Sequence, residues 1–187
     1  MTRILCISGS LRRDSHNTSL LRAAAETAGP EVQLELYDGL KEIPPYDEDD
    51  DVHPRAASVA RLNAAIGNAG AVLFATPEYN TSIPGHLKNA VDWISRPVET
   101  NMLRNKPVAV VGASTGAFGA AWAQAELRKV LAALGARVLD FELPVRHAHT
   151  RFEEGELTDE EIRAGLADAV EALVEEVRQR ERAKVVA

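Results

Sequence analysis

The sequence has little of what disulfide-rich, metal-binding, membrane or nucleic-acid-binding proteins require. One cysteine among 187 residues excludes an internal disulfide framework and any cysteine-based zinc motif. No apolar run approaches the roughly 20 residues of a membrane-spanning helix, and no charged segment followed by a long apolar one opens the chain. A net charge of −7 argues against nucleic acid as the main partner. We therefore expect a cytoplasmic protein that binds neither membrane nor nucleic acid.

What the sequence does contain predicts one globular domain spanning residues 1–187. Hydrophobic residues make up 45% and charged residues 26% of the chain, which is ordinary for a folded globular protein. A chain of this length buries a substantial core without a metal or disulfide. Cys6 lies within the first apolar segment, so we expect its thiol to be buried and unreactive.

Strand-like and helix-like segments alternate along the chain. Apolar or alternating runs predict strands at residues 4–7, 32–37, 71–75, 108–111 and 137–143. Helical spacing predicts helices at residues 17–28, 54–68, after the third and fourth strands, and at 158–183, the last opened by a capping box of Thr158 and Glu161. Five strands alternating with helices predict an α/β fold with a parallel sheet covered on both faces, for which the flavodoxin-like order 2-1-3-4-5 is common.

Small and hydroxylated residues connect the first predicted strand to the first helix. Residues 7–18 are Ile-Ser-Gly-Ser-Leu-Arg-Arg-Asp-Ser-His-Asn-Thr. Unpaired N–H groups and the helix dipole favour an anion at such a helix N-terminus. The loop adds neutral donors and one fixed cation: Ser10, Ser15, Asn17, Thr18 and Arg12. Because it matches neither a nucleoside-triphosphatase loop nor a dinucleotide fingerprint, it favours a terminal monophosphate. The alternative is a turn whose serine and asparagine only cap the helix.

Two further unusual loops follow the third and fourth predicted strands. The second loop, residues 76–85, is Thr-Pro-Glu-Tyr-Asn-Thr-Ser-Ile-Pro-Gly, and its two prolines stiffen it. The loop can offer an apolar face and a few backbone hydrogen bonds to the flat ring of a ligand. Alternatively, Tyr79 is only a packing residue. Glu78 is expected to anchor the loop or to form an intersubunit ion pair. The third loop, residues 113–119, contains Gly116 and Gly119, which permit close approach to a ligand. In the predicted strand order, all three loops lie at the carboxyl ends of strands 1, 3 and 4, where the strand order reverses. Ligands bind parallel sheets at this place.

Together these motifs resemble the NAD(P)H-dependent FMN reductases and quinone reductases of flavodoxin-like fold, which include chromate-, azo- and quinone-reducing bacterial flavoproteins. The resemblance extends from about residue 3 to residue 143 and is carried by four segments: Gly9-Ser-Leu-Arg with Ser15 and Asn17, Pro77-Glu-Tyr-Asn with Ser82 and Pro84-Gly, Leu87-Lys-Asn-Ala-Val-Asp-Trp, and Ser114-Thr-Gly. It implies FMN as cofactor, NADPH or NADH as co-substrate, a small-molecule electron acceptor, and a homodimer or homotetramer. The interface is expected near residues 77–93, where Tyr79 and Trp93 look exposed, although Trp93 can also be a core residue.

By position, the resemblance places the FMN phosphate on the first loop and the isoalloxazine ring on the other two. It implies no catalytic side chain and no metal ligand, because the chemistry belongs to the flavin. The third loop departs from the Ser-Gly-Gly of many members, since Thr115 precedes a single Gly116. The residues implied to bind FMN are Ser10, Arg12, Ser15, His16 (through its backbone only), Asn17, Thr18, Pro77, Glu78, Tyr79, Asn80, Ser82, Ser114, Thr115 and Gly116.

The resemblance also implies that NAD(P)H and the acceptor use one open flavin face in turn, which gives ping-pong kinetics. One alternative is a flavodoxin-type electron carrier without nicotinamide-dependent turnover; such carriers usually sandwich the ring between aromatics, and this chain is only 5% aromatic. The other is a hydrolase or transferase, for which Asp14 is the only acidic candidate beside the first loop. The alternating pair His147 and His149 predicts a surface or interface pair rather than a metal site.

Overall fold

The structure, a computed structural model, describes residues 1–186 and the side-chain surroundings of residues 1–183. The strands are β1 (Thr2–Ser8), β2 (Val32–Tyr37), β3 (Ala71–Ala75), β4 (Pro107–Ala113), β5 (Arg137–Val138), β6 (Pro144–Val145), β7 (Phe152–Glu153) and β8 (Glu156–Leu157). The helices are α1 (His16–Glu26), α2 (Ala57–Asn68), α3 (Gly85–Ile94), α4 (Ala121–Ala133) and α5 (Glu160–Val186). None of the helices in this described part is long and apolar enough to cross a bilayer.

The main sheet is parallel and has the predicted order β2-β1-β3-β4-β5. β3 and β4 lie at its centre and are buried along their whole length, which is why their sequences are almost continuously apolar. Side chains alternate between the two faces of β1. Leu5 and Ile7 join the core beneath α2, α3 and α4, whereas Ile4 and Cys6 join the core beneath α1 and α5.

The predicted fifth strand, residues 137–143, is interrupted in the structure. β5 pairs with the start of β4 and β6 pairs with its end, while the segment between them leaves the ladder. In that segment Arg128 of α4 binds two neighbouring residues: its Nη1 donates to the Phe141 carbonyl at 3.1 Å, and its Nη2 forms an ion pair with Glu142. The antiparallel pair β7–β8 is also missing from the sequence prediction.

The N-terminus of α5 is capped by a residue that the sequence analysis did not choose. Asp159 Oδ1 accepts the Ile162 N–H at 3.1 Å, the bond expected of an N-cap residue. The Thr158 hydroxyl instead donates to the Arg151 carbonyl at 3.2 Å, because the Thr158 backbone is already bound to that carbonyl. The predicted capping box of Thr158 and Glu161 was therefore wrong.

Two predictions about single side chains have opposite outcomes. Cys6 is 1% exposed, which confirms the expected burial of its thiol, and this burial raises the pKa of the thiol to about 12. Trp93 is also 1% exposed, and its Nε1 donates to the Pro44 carbonyl at 2.9 Å. The expectation that Trp93 is exposed near an interface was wrong, because the segment carrying Pro44 and Tyr46 covers its ring.

Candidate functional site

The three unusual loops converge in one cleft at the carboxyl ends of β1, β3 and β4. This convergence confirms what the predicted strand order required. The cleft has a volume of about 160 Å³. Its lining residues are Ser10, Arg12, Ser15, His16, Asn17, Pro77, Glu78, Tyr79, Ala113, Ser114 and Thr115.

Hydrogen bonds within the first loop hold it at the N-terminus of α1. Ser15 is the N-cap, and its hydroxyl accepts the Thr18 N–H at 3.3 Å. The Thr18 hydroxyl donates to Ser8 Oγ at 2.9 Å, which ties the first helical turn to the end of β1. Ser15 therefore does cap the helix, as the alternative interpretation holds. The cap also orders the first turn at the cleft wall, where the N–H groups of a helix N-terminus attract anions.

Arg12 supplies the cationic side chain of the cleft lining. Its Nη2 donates to the Asp14 carbonyl at 2.5 Å, which fixes the guanidinium over its own loop. A guanidinium has five N–H donors, so this single bond leaves donors for an anion. The Arg12 backbone N–H donates to Ser10 Oγ at 3.3 Å, and both Ser10 and Arg12 line the cleft.

His16 lines the cleft, but its ring packs against Phe152 with the ring centroids 5.1 Å apart. Burial, together with the nearby positive charge of Arg12 and with His149, lowers the pKa of His16. A neutral imidazole adds no charge for an anion, which agrees with the expectation of a backbone role only.

His147 and His149 lie at a short helical turn, Ala148–Thr150, and not on a strand. Their ring centroids are 6.3 Å apart. Within the described residues, no group of three or more histidine, cysteine, aspartate or glutamate side chains could hold a metal ion.

Two predicted phosphate-binding side chains are engaged with protein partners. The Asn17 side chain is 3% exposed and forms two hydrogen bonds with the backbone of Ala113, at 3.0 and 2.9 Å. The Thr18 hydroxyl is bound to Ser8, and Thr18 lies outside the cleft lining. Sequence reasoning missed this clamping role because the partner of Asn17 is 96 positions away.

The second loop is a tight turn that side chains fasten to α4. Tyr79 and Ser82 exchange two backbone hydrogen bonds of 3.1 Å, and the two residues between them have positive φ. Glu78 Oε2 accepts the Ala123 N–H at 3.1 Å, and Ser82 Oγ donates to Glu126 Oε2 at 2.6 Å. Glu78 thus anchors the loop, one of its two predicted roles. Asn80 and Ser82 lie outside the cleft lining.

Two glycines, one in the third loop and one just before it, lie very close to neighbouring backbone atoms. At Gly119, φ is +60° and a Cβ atom would lie 2.6 Å from the Pro144 carbonyl carbon. At Gly112, a Cβ atom would lie 2.7 Å from the Thr76 carbonyl oxygen. Gly116 is different, because a Cβ atom there would meet only Ser114 Oγ at 3.5 Å, and Gly116 lies outside the lining.

Sequence reasoning also missed His86, which supports the first loop. Its Nε2 lies 2.9 Å from the Gly9 carbonyl oxygen, so the helix that follows the second loop holds the first loop in place. Burial lowers the pKa of His86, and its bond to Gly9 opposes that change. The spacing of 77 residues between the partners explains why no local pattern reveals it.

The chain's relationship to known proteins agrees with this geometry. Residues 2–150 match the family of NADPH-dependent FMN reductases. The chain belongs to that family. Membership makes it an oxidoreductase with FMN as cofactor and NAD(P)H dependence, as the sequence analysis predicted.

Similar proteins cover nearly the whole of this FMN reductase family member. An NAD(P)H-dependent FMN reductase of Pseudomonas aeruginosa is 41% identical over 173 residues, which are 91% of this chain and 92% of that protein. A 2-hydroxy-1,4-benzoquinone reductase of a Burkholderia species is 36% identical over 181 residues, or 95% and 97% of the two chains. The solved structure of FerB, a flavoenzyme NAD(P)H:(acceptor) oxidoreductase from Paracoccus denitrificans, matches this structure with a TM-score of 0.84 and 35% sequence identity. The match covers 96% of this chain and 98% of FerB.

The residues present in the cleft fit FMN. Hydroxyls and the Arg12 guanidinium at one end suit a phosphate, and the stiff segment around Pro77 with the third loop suits a flat ring. The cleft volume of 160 Å³ is below the roughly 300–1,000 Å³ of pockets that enclose a whole drug-sized ligand.

Proposed function

We propose that this FMN reductase family member transfers two electrons from NADPH or NADH to a quinone or a similar small acceptor by a ping-pong mechanism. One observation carries the proposal: three loops that follow separate strands line a single, partly open cleft, whose lining includes hydroxyl groups and one guanidinium. The similarity to a 2-hydroxy-1,4-benzoquinone reductase over 95% of the chain supports a quinone as the acceptor.

Within this proposal, the first loop holds the FMN phosphate. Ser10, Ser15 and the Arg12 guanidinium supply hydrogen bonds, of which those from the cation are the stronger. Asn17 and Thr18 contribute backbone rather than side-chain groups, since Ala113 and Ser8 engage their side chains.

The second and third loops hold the ring. Pro77, Glu78 and Tyr79 form one wall of the cleft, and Ser114 and Thr115 form another. The remaining predicted residues act indirectly by shaping these loops: Asn80, Ser82 and Gly116. Ser82 does so through its bond to Glu126.

When bound, FMN supplies reversible two-electron redox chemistry. The overall reaction balances as NAD(P)H + H⁺ + quinone → NAD(P)⁺ + quinol. The chain's residues position both partners and are not required to carry a proton, because Glu78 already accepts a backbone N–H and the open side admits water. With one open side, NAD(P)H and the quinone must occupy the same space in turn.

The test uses the purified protein loaded with FMN. Stopped-flow mixing with NADPH or NADH should bleach the flavin absorption, and added quinone should restore it. Steady-state double-reciprocal plots should give parallel lines. If neither nicotinamide reduces the FMN-loaded protein, the enzyme proposal fails and the electron-carrier alternative replaces it. Intersecting lines would preserve the activity but reject the shared space.

We also propose that the protein assembles as a homodimer or as a homotetramer built from dimers. The support is Tyr79, a large side chain that is 52% exposed on the second loop; Trp93 contributes nothing, since it is buried. Sedimentation of the FMN-loaded protein at micromolar concentration should give a dimer or tetramer. A monomer alone would contradict this part of the proposal.

A further inference from the structure

Large apolar side chains are exposed on each of the three loop regions that form the cleft. Leu11 is 42% exposed on the first loop and Tyr79 is 52% exposed on the second. Phe118 is 56% exposed in the third loop, and Trp122 is 46% exposed in the first turn of α4. No other aromatic side chain in the described part of the chain is exposed to this degree. Single exposed apolar residues are common, but their clustering marks a binding surface.

The rings of Phe118 and Trp122 are in contact as a tilted pair. Their ring centroids are 4.6 Å apart and their planes are inclined by 49°. Both ends of the segment that carries them are fixed to the cleft wall. Thr115 lines the cleft, and the Ala123 N–H is bound to the carboxylate of Glu78, another lining residue. Because Thr115 lies three positions before Phe118 and Ala123 directly follows Trp122, the aromatic pair lies beside the cleft wall.

The backbone beneath this pair is rigid. Gly119 packs against the backbone of Pro144 so closely that a Cβ atom would not fit. The buried Gln124 donates from Nε2 to the Gly119 carbonyl at 3.0 Å, and the Ala121 N–H donates to the Phe118 carbonyl at 3.1 Å. The exposure of the two rings is thus a property of a fixed surface, and binding to it requires little ordering of the protein.

We propose that Phe118 and Trp122 form an aromatic wall that stacks on planar aromatic acceptors and so gives flat cyclic quinones an advantage over compact inorganic anions. This inference rests on the proposed function and adds to it the residues that discriminate between acceptors. Aromatic rings gain from offset or edge-to-face contact beyond the burial of their area. Neither side chain carries a charge, so a compact anion gains nothing from the wall.

The test isolates the acceptor step from nicotinamide binding. FMN-loaded protein is first reduced with dithionite and then mixed in a stopped-flow instrument with menadione or, separately, with ferricyanide, two ions of which reoxidise one flavin. The variants Phe118→Leu and Trp122→Leu keep apolar bulk but remove the ring. Met102→Ala, at a residue 45% exposed outside the cleft lining, is the control.

Each aromatic variant should lower the apparent second-order rate constant for menadione about three- to tenfold. The rate with ferricyanide and the affinity for FMN should stay at the parent value, and Met102→Ala should match the parent with both acceptors. Unchanged menadione rates, or equal losses with both acceptors, would overturn the proposal. So would sedimentation showing that the variants lose subunit association, because the wall would then belong to an interface between copies of this chain.

Failure of the proposed function is distinguishable from failure of the wall. If reduced parent protein is not reoxidised by menadione, or the FMN-loaded parent is not reduced by NADPH or NADH, the proposed function is wrong whatever the variants do. If the parent turns over and the variants behave as the parent, only the aromatic wall is wrong.

Discussion

The side-chain amide of Asn17 and the backbone of Ala113 form a closed pair of hydrogen bonds. Nδ2 donates to the Ala113 carbonyl at 3.0 Å, and Oδ1 accepts the Ala113 N–H at 2.9 Å. The two residues are 96 positions apart in the chain. One buried side chain therefore holds the first turn of α1 to the end of β4, and with it the first loop of the cleft to the third.

Replacing Asn17 by alanine should destabilise the protein and weaken FMN binding. The change leaves the N–H and carbonyl of Ala113 buried without partners, each at about 1–3 kcal/mol. We expect the free energy of unfolding to fall by about 2–4 kcal/mol in urea titrations of the apoprotein. Asn68→Ala, at an exposed position at the end of α2, should change it by less than about 0.5 kcal/mol. Equal effects of the two substitutions would contradict the clamp.

Replacing Arg12 by alanine should weaken FMN binding and leave the fold intact. Loss of a charge-assisted contact to phosphate costs about 1.5–3 kcal/mol, which corresponds to a dissociation constant raised about 10- to 150-fold. Fluorescence titration with FMN measures it. Arg13→Ala is the matched control, because Arg13 is exposed and lies outside the cleft lining. An affinity equal to that of the parent rejects the phosphate role of Arg12.

Substitution by alanine should lower the stability of the protein by different amounts at two glycines with positive φ. Gly119→Ala adds a Cβ atom 2.6 Å from the backbone of Pro144, whereas Gly155→Ala, at φ +91°, meets nothing within 4 Å. Both substitutions incur conformational strain of roughly 1 kcal/mol, and only the first adds a backbone clash. We expect Gly119→Ala to be the more destabilising by at least about 1 kcal/mol in thermal or urea unfolding. A smaller loss at Gly119 than at Gly155 would contradict the close approach.

Stability should fall as the pH is lowered below the usual pKa of histidine, about 6.5. Burial lowers the pKa of both His16 and His86 in the folded state. As the pH falls, the histidines of the unfolded chain are therefore protonated at a higher pH than those of the folded protein. The free energy of unfolding decreases between about pH 6.5 and the lower pKa of the folded state, and below that pKa these histidines cause no further decrease.

The double variant His16→Gln with His86→Gln isolates this effect from that of carboxylates. Urea midpoints of parent and variant are compared between about pH 8 and pH 5. Towards about pH 5, any excess of the parent's urea midpoint over that of the variant should become smaller, or the variant should have the higher midpoint. A difference that does not vary with pH would show that neither histidine contributes.

The sequence by itself determined the sheet and the location of the cleft. Strands buried on both faces must be nearly continuously apolar, which revealed β3 and β4 and so their place at the centre of the sheet. Parallel connections with right-handed crossovers then leave few strand orders. Because the carboxyl ends of β1, β3 and β4 adjoin in the predicted order, the meeting of the three loops followed without any knowledge of side-chain contacts.

Only the tertiary structure decided which polar side chains face the cleft and which hold its loops together. Asn17 and Ser82 were predicted to bind FMN, and in the structure their side chains bind other parts of the chain. The hydrogen bond from Arg128 to the Phe141 carbonyl, in the interrupted fifth strand, is a contact of the same kind. The apolar periodicity and composition of a segment indicate which of its residues are buried, and both can be read from the sequence of that segment alone. The partner of a polar side chain depends instead on which distant atoms the completed fold brings within hydrogen-bond distance.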